Sequence, residues 1–451
     1  MKKLLLLLSL FCGIAFSATP VAPFAKGERV VFLGDSVTRN GGYVFYLQLF
    51  EDLRHPGSGT VMMNAGIGSE TAGDACRRYE HDVLKRNPDR IFVMFGLNDL
   101  GIGNYASATP TKEQEDKRQA SLKNYQNNYK RLIEMILGSN RKLVVMTSSP
   151  YDQYSSTATA TNRIQGNEPG MARMAQVVRK LAEESSLGLV EIHAPFTEML
   201  KAYPEMGLCN KDRVHPSSLG HLYMAALILE AAGEDGLVAE VELDVAGKDA
   251  IVAKANNAAV SNINVRGDFG KGFAFMYAPK ALPYPCMPDY KTLDTIYPIT
   301  EKLNREILRI KGLPDGNYSL KANGVEIASA SSKELAMGIN IAILNTPSQK
   351  TAMKAGNIMK SLRNFSEKMR LMAYIDSITL KRNGNPDNYE ESIQFLEKWA
   401  SNLPDKKYMQ RVETYKQTYP ILAQKKQEEL EMRKKLASFV PEAFVISVEA
   451  K

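Results

Sequence analysis

Residues 30–36 read Val30-Val31-Phe32-Leu33-Gly34-Asp35-Ser36. Four apolar residues in a row suit a strand buried on both faces. The Gly-Asp-Ser that follows ends the run and places a polar side chain at its carboxyl end. Comparable short apolar runs recur at 61–63, 91–95, 143–146 and 189–192. Between them lie longer amphipathic stretches at 43–53, 72–85, 122–137, 171–184 and 219–231. This alternation predicts a doubly wound α/β domain on a five-stranded parallel sheet. In such domains ligands gather outside the carboxyl ends of the strands. Two long connections, 101–117 and 150–169, leave strand ends on that face, where long loops often shape a substrate site.

Beyond residue 235 the rhythm changes. Residues 238–264 suggest strands, and 270–290, rich in Pro, Tyr and Phe, an irregular crossing segment. Residues 307–343 alternate apolar and polar around Pro314-Asp315-Gly316-Asn317, a turn signal that predicts a small β module. From about residue 347 the pattern is helical, with breaks expected at Pro420 and Pro441. The expected division is 1–17 signal peptide, 18–235 α/β domain, 236–345 accessory region with the β module, and 346–451 helical region.

Met1-Lys2-Lys3 is a positive start, residues 4–16 are apolar, and Ala15-Phe16-Ser17 is a small-x-small cleavage site. That is the grammar of a secretory signal. The apolar run is short for a bilayer span, and Phe11 before Cys12 fits a lipoprotein anchor poorly. The chain is expected to be exported by a bacterium, to the periplasm or beyond, with no membrane span.

The 451 residues carry a formal charge of +7, with positive and negative side chains interleaved. Nucleic-acid binding needs a clustered basic patch, which is missing. After signal removal three cysteines remain, Cys76, Cys209 and Cys286, with no CxxC pair and no Cys/His spacing for a metal. No metal or cofactor is expected.

Four segments carry chemistry, each after a different predicted strand. Gly34-Asp35-Ser36 sets a serine before a helix, whose N-terminus favours developing negative charge. Asn64-Ala65-Gly66-Ile67-Gly68-Ser69-Glu70-Thr71 is a glycine-containing loop whose N–H groups can face an oxyanion. Gly96-Leu97-Asn98-Asp99 offers an Asn amide for the same purpose. Asp212-Arg213-Val214-His215-Pro216 lets an Asp fold back onto a histidine. Alone, each is ordinary: a capped turn, a βα loop, an Asx turn, a surface histidine. Together they supply nucleophile, base, orienter and oxyanion donors, the inventory of acyl transfer.

Over residues 28–234 the sequence resembles the SGNH hydrolase superfamily, the GDSL-like esterases and lipases. The resemblance implies a flavodoxin-like three-layer α/β/α fold. It implies Ser36 as nucleophile, His215 as base, Asp212 as orienting acid, and Ser36 and Asn98 as oxyanion donors. The family's second block reads N-x-x-x-S-G-x-T, with the glycine N–H donating; here the pair is reversed, so Gly68 and Ser69 are both candidates.

Exported members of this kind in polysaccharide-degrading bacteria suggest carbohydrate O-deacetylation on a small ester or O-acetylated polysaccharide. Tyr105, Tyr151 and Tyr154 in the long loops are expected to stack on sugar. The alternatives are a lipolytic esterase or thioesterase, or a carbohydrate-binding scaffold with a vestigial hydrolase domain. A histidine base must be neutral, so activity is expected to fall below about pH 6 to 7. A sharper expectation for 270–290 is that Phe273, Tyr277, Tyr284 and Tyr290 fold over the cleft. His193 is expected to be structural, His221 packed, and His55 and His81 on the surface.

Overall fold

The structure, a computed structural model, describes residues 19–105, 107–159, 167–246, 249–265, 268 and 271–451. The expected signal peptide, 1–17, lies outside the described residues, as does part of the 150–169 connection.

The first part alternates as expected: β1 (Arg29–Gly34), α1 (Ser36–Asn40), α2 (Gly42–Arg54), β2 (Val61–Gly66), α3 (Ala72–Arg78), β3 (Arg90–Met94), α4 (Lys112–Gly138), β4 (Lys142–Met146), α5 (Asn167–Glu184), β5 (Gly188–Val190), α6 (His193–Ala202) and α7 (Ser218–Ala231). The strands form one parallel sheet in the order β2-β1-β3-β4-β5. Neighbouring residues of β1 enter different cores: Val30 and Phe32 pack with α2 and α7, Val31 and Leu33 with α3, α4 and α5. Burial on both faces is what the unbroken apolar runs required. The order reverses direction at β1, so the carboxyl ends of β1 and β3 flank a topological switch point.

Two elements differ from the sequence reading. Helix α4 begins at Lys112 because Thr111 and Gln114 form a capping box, so the 101–117 connection is shorter than expected. The fifth apolar run ends as strand at Val190, and helix α6 starts at His193.

The next part is a β sandwich. It comprises β6 (Leu237–Ala246), β7 (Asp249–Asn256), β8 (Ala258–Val265), β9 (Gly272–Pro279), α8 (Pro288–Asp294), α9 (Ile299–Leu303), β10 (Arg305–Lys311), β11 (Asn317–Ala322), β12 (Val325–Ser331), α10 (Ser332–Met337) and β13 (Ile339–Asn340). One sheet runs β13-β10-β6-β7. The other runs β12-β11-β14-β9-β8 and needs β14 (Phe444–Ala450) from the chain's end. Between the two sheets lies one core, with Val241, Leu243 and Ile310 facing Phe273, Leu320 and Ile446.

The segment read as irregular therefore contains β9. Phe273 and Tyr277 fill the sandwich core, while Tyr284 and Tyr290 pack with Phe50 and Leu222 in the core of the α/β part. All four rings are buried, which overturns the cleft-covering expectation.

The helical part consists of α11 (Pro347–Lys381), α12 (Tyr389–Ser401), α13 (Lys407–Thr418) and α14 (Leu422–Ala437), with Pro420 in the turn before α14. The first half of α11 buries Ala352, Ala355, Met359 and Leu362 against α2 and α14, at the three- and four-residue spacing of one helix face. Its second half packs Met372, Ile375 and Ile378 against α12 and α13. Cys76, Cys209 and Cys286 are all free thiols. Among the described residues no helix is long and apolar enough to cross a membrane.

Candidate active site

Asp35 caps α1, its carboxylate accepting the Val37 N–H at 2.9 Å, which sets Ser36 as the first helical residue. Gly34 has to be glycine: a Cβ there would meet Thr38 Oγ1 at 2.1 Å. Burial of Asp35 pushes its carboxyl up to about 6, against the pull of the Val37 hydrogen bond and the charge of His215.

Ser36 Oγ lies 2.8 Å from His215 Nε2, and His215 Nδ1 lies 2.8 Å from Asp212 Oδ2. With Nδ1–H donating to Asp212, Nε2 is left to accept from the serine hydroxyl. The other oxygen of Asp212 accepts the backbone N–H groups of Val214 and His215. Burial works to raise the Asp212 carboxyl. The hydrogen bonds from His215 and Val214 outweigh it and hold the group below the usual carboxylate range. The turn closes through Asn210 N–H to His215 C=O at 2.8 Å, with Arg213 at φ 66°. His215 and Asp212 are 32% and 50% exposed, so this side of the site is open to solvent.

The second block runs off the end of β2. Gly66 presses on α1: a Cβ there would sit 2.1 Å from Arg39 N. Gly68 follows beside the serine, its missing Cβ position 3.9 Å from Ser36 Cβ. Ser69 is exposed and adopts φ 64°, the left-handed region that favours glycine. Asn98 reaches the same segment, donating from Nδ2 to Glu70 C=O at 2.9 Å. One amide hydrogen remains, since an Asn side chain carries two. Ser36, Gly68, Asn98, His215 and Asp212 thus converge at the carboxyl edge, and Ser69 adjoins them.

Several other expectations change. Tyr105 and Tyr151 are buried in the core beneath α4 and α5, unavailable for stacking; Tyr154 is half-buried. His221 packs on Tyr43 and burial drives its imidazole down to about 3, so it stays neutral. His193 is buried, 3.0 Å from Glu168. His55 is exposed and 3.5 Å from Glu234. His81 is tucked between Asp376 and Asp387 rather than free on the surface. Among the described residues, the His/carboxylate trio close enough to share a cation is Glu51, His55 and Glu234, at the end of α2 and separate from Ser36.

Sequence reasoning missed what lies behind the second block. Glu70, Arg78, Asp82 and Arg370 form a buried chain of ion pairs, which half-buried Arg86 joins through Asp82. Burial alone would raise Asp82; the guanidinium groups of Arg370, Arg86 and Arg78 overcome it and hold the carboxyl well below the usual range. Nothing in local spacing connects Arg370 to this cluster.

A model described as the GDSL-like Lipase/Acylhydrolase family matches residues 32–222. An acetylxylan esterase from Geobacillus stearothermophilus is 30% identical over 231 residues, covering 46% of this chain and 95% of the relative. An uncharacterized lipoprotein, YqeF, from Bacillus subtilis (strain 168) is 34% identical over 129 residues, covering 27% of this chain and 49% of the relative. Among solved structures, a gut microbial diltiazem-metabolizing enzyme superposes with a TM-score of 0.86 at 26% identity, covering 96% of this chain and 100% of that one. That coverage takes in the sandwich and the terminal helices as well as the α/β part.

Proposed function

As this chain belongs to the GDSL-like lipase/acylhydrolase family, the SGNH hydrolases, we propose that it is a Ser-His-Asp esterase removing O-acetyl groups from carbohydrate. The observation that carries the mechanism is the unbroken relay Ser36–His215–Asp212, with both links at 2.8 Å. His215 takes the proton of Ser36 as Oγ attacks the ester carbonyl. The N–H groups of Ser36 and of Gly68 or Ser69, with the second amide hydrogen of Asn98, hold the oxyanion. Collapse expels the alcohol, which takes its proton from His215 and leaves an acyl-serine. Water activated by His215 then releases the acid.

The carbohydrate reading rests on the acetylxylan esterase relative and on the exposure of the base side, which a polymer can reach. The drug-metabolizing relative favours a second reading, a small non-carbohydrate ester. The lipoprotein relative and the signal-like first 17 residues support export.

The test is acetate release from p-nitrophenyl acetate and acetylated xylan, wild type beside Ser36→Ala. We expect activity in the wild type and a loss of at least about 10³-fold in the variant. A folded wild type silent on both substrates, or a Ser36→Ala as active as wild type, would overturn the assignment.

A further inference from the structure

We infer that Arg370, on α11, is a positioning residue for the oxyanion side of the site; the inference rests on the esterase reading above. An oxyanion hole works only if its donors are already fixed where charge will develop. The segment from Gly66 to Glu70 leaves the sheet, so the ladder holds only its start.

From within, Gly66 N–H donates to Asn64 Oδ1 at 2.8 Å and Ile67 N–H to Gly34 C=O at 3.0 Å. The carbonyl of Gly66 is taken by Arg370, whose Nε donates to it at 3.0 Å across 304 residues of sequence. Both Nη atoms of Arg370 go to Asp82, at 3.0 and 2.7 Å, and Asp82 is held in turn by Arg78 and Arg86. A planar fork bonded at all three nitrogens has little freedom to drift. Arg370 is only 4% exposed, so water cannot readily replace it.

The far end of the segment is tied to the same helix. Glu70 accepts from Ser377 through one carboxylate oxygen and from Arg78 through the other. Its carbonyl is the group that orients Asn98. One heptad before Arg370, Arg363 donates to the carbonyl and side-chain oxygen of Asn40, at the end of the helix that carries Ser36. Positions 363, 370 and 377 are seven apart, so they share one face of α11. That face touches the end of the nucleophile helix and both ends of the oxyanion segment. The helix belongs to the region without catalytic motifs, which gives that region a part in the chemistry.

The experiment uses the full chain carrying Arg370→Ala, Arg370→Lys or Ser377→Ala, with Ser36→Ala as the inactive reference. It measures kcat and KM on p-nitrophenyl acetate, the rate of Ser36 phosphonylation by a p-nitrophenyl phosphonate, and Tm. For Arg370→Ala we expect kcat to fall about 10- to 100-fold with KM within about twofold, and phosphonylation to slow in step. Arg370→Lys should recover only part, because an ammonium cannot span Gly66 and Asp82 as a fork does. Ser377→Ala should lose about threefold in kcat. A folded Arg370→Ala with wild-type kcat and phosphonylation, or one that changes KM alone, overturns the inference. If Arg370→Ala does not fold, Ser377→Ala decides, and wild-type rates there overturn it. A wild type that neither turns over ester nor phosphonylates removes the esterase reading itself, whereas an active wild type matched by folded Arg370→Ala removes the positioning role alone.

Discussion

The proposed oxyanion segment, 66–70, and the turn 209–216 both reach Ser36, but they are held by different means. The first is backed by buried ion pairs among Glu70, Arg78, Asp82 and Arg370, and tied to a helix from the far end of the chain. The second is held by hydrogen bonds within itself and by Arg213, which exchanges backbone and side-chain bonds with Asp152. Asp212 and His215 stay accessible there. The division matches the two tasks proposed for these segments. Oxyanion stabilisation loses its advantage if donors must reorganise during the reaction, whereas the base must exchange protons with the leaving alcohol and the incoming water. Rigidity and access are built on separate elements.

The largest expected effect falls on the buried side. Asp82→Asn leaves three guanidinium groups short of their shared partner and should cost about 3–5 kcal/mol of stability at pH 7. The pH dependence has a definite sign. The folded carboxyl of Asp82 is held well below its ordinary value. Its contribution is therefore full above about pH 4, the unfolded value, and disappears as pH falls through the folded one. Chemical denaturation of wild type and variant at pH 7, 5 and 3 should show a gap that is constant at first and narrows at the acid end. A gap that widens toward pH 3, or none at pH 7, breaks the comparison.

On the open side the expectation inverts. Asp212→Asn keeps the shape of the turn but removes the charge that, in the proposed mechanism, orients and stabilises the imidazolium, so kcat should fall by about a hundredfold. Because Asp212 is half exposed, stability should hardly move. A Tm loss like that of Asp82→Asn would mean the turn is as structural as the buried network.

These contrasts explain what was legible in the sequence. The five strands and four motifs could be read because each is local: an apolar run, a turn residue, an Asp three residues before a His. The strand order placed the motifs on one edge. Strand β14 was hidden because Phe444–Ala450 gains its meaning from partners at β9 and β11, far away in the chain. Local sequence puts Tyr105 and Tyr151 in loops open to sugar, yet both fill the core beside α4 and α5, since a ring's burial depends on which helix lies over it. Arg370 was one cation on an amphipathic helix; only tertiary packing brings it to Gly66. Glu70 lies within the block Asn64–Thr71, but its role depends on Arg78 and Ser377.

The smallest effect bears on the one place where the clamped side departs from its family's pattern. Ser69 stands where the family carries glycine, and its φ of 64° is the reason a glycine suits that position. For a non-glycine residue the left-handed conformation costs roughly 1–2 kcal/mol. Ser69→Gly relieves that strain but gives the unfolded chain more freedom, an opposing effect of about 0.4–1 kcal/mol. The net expectation is a stability gain of between zero and about 1.6 kcal/mol, read from denaturant midpoints. Because what the proposed mechanism could use at this position is a backbone N–H, which glycine keeps, kcat should stay within about twofold of wild type. A drop of about tenfold with stability raised would show that the exposed hydroxyl itself touches the substrate, and the reversed Gly68-Ser69 pair would then be a specificity feature carried by an otherwise rigid oxyanion loop.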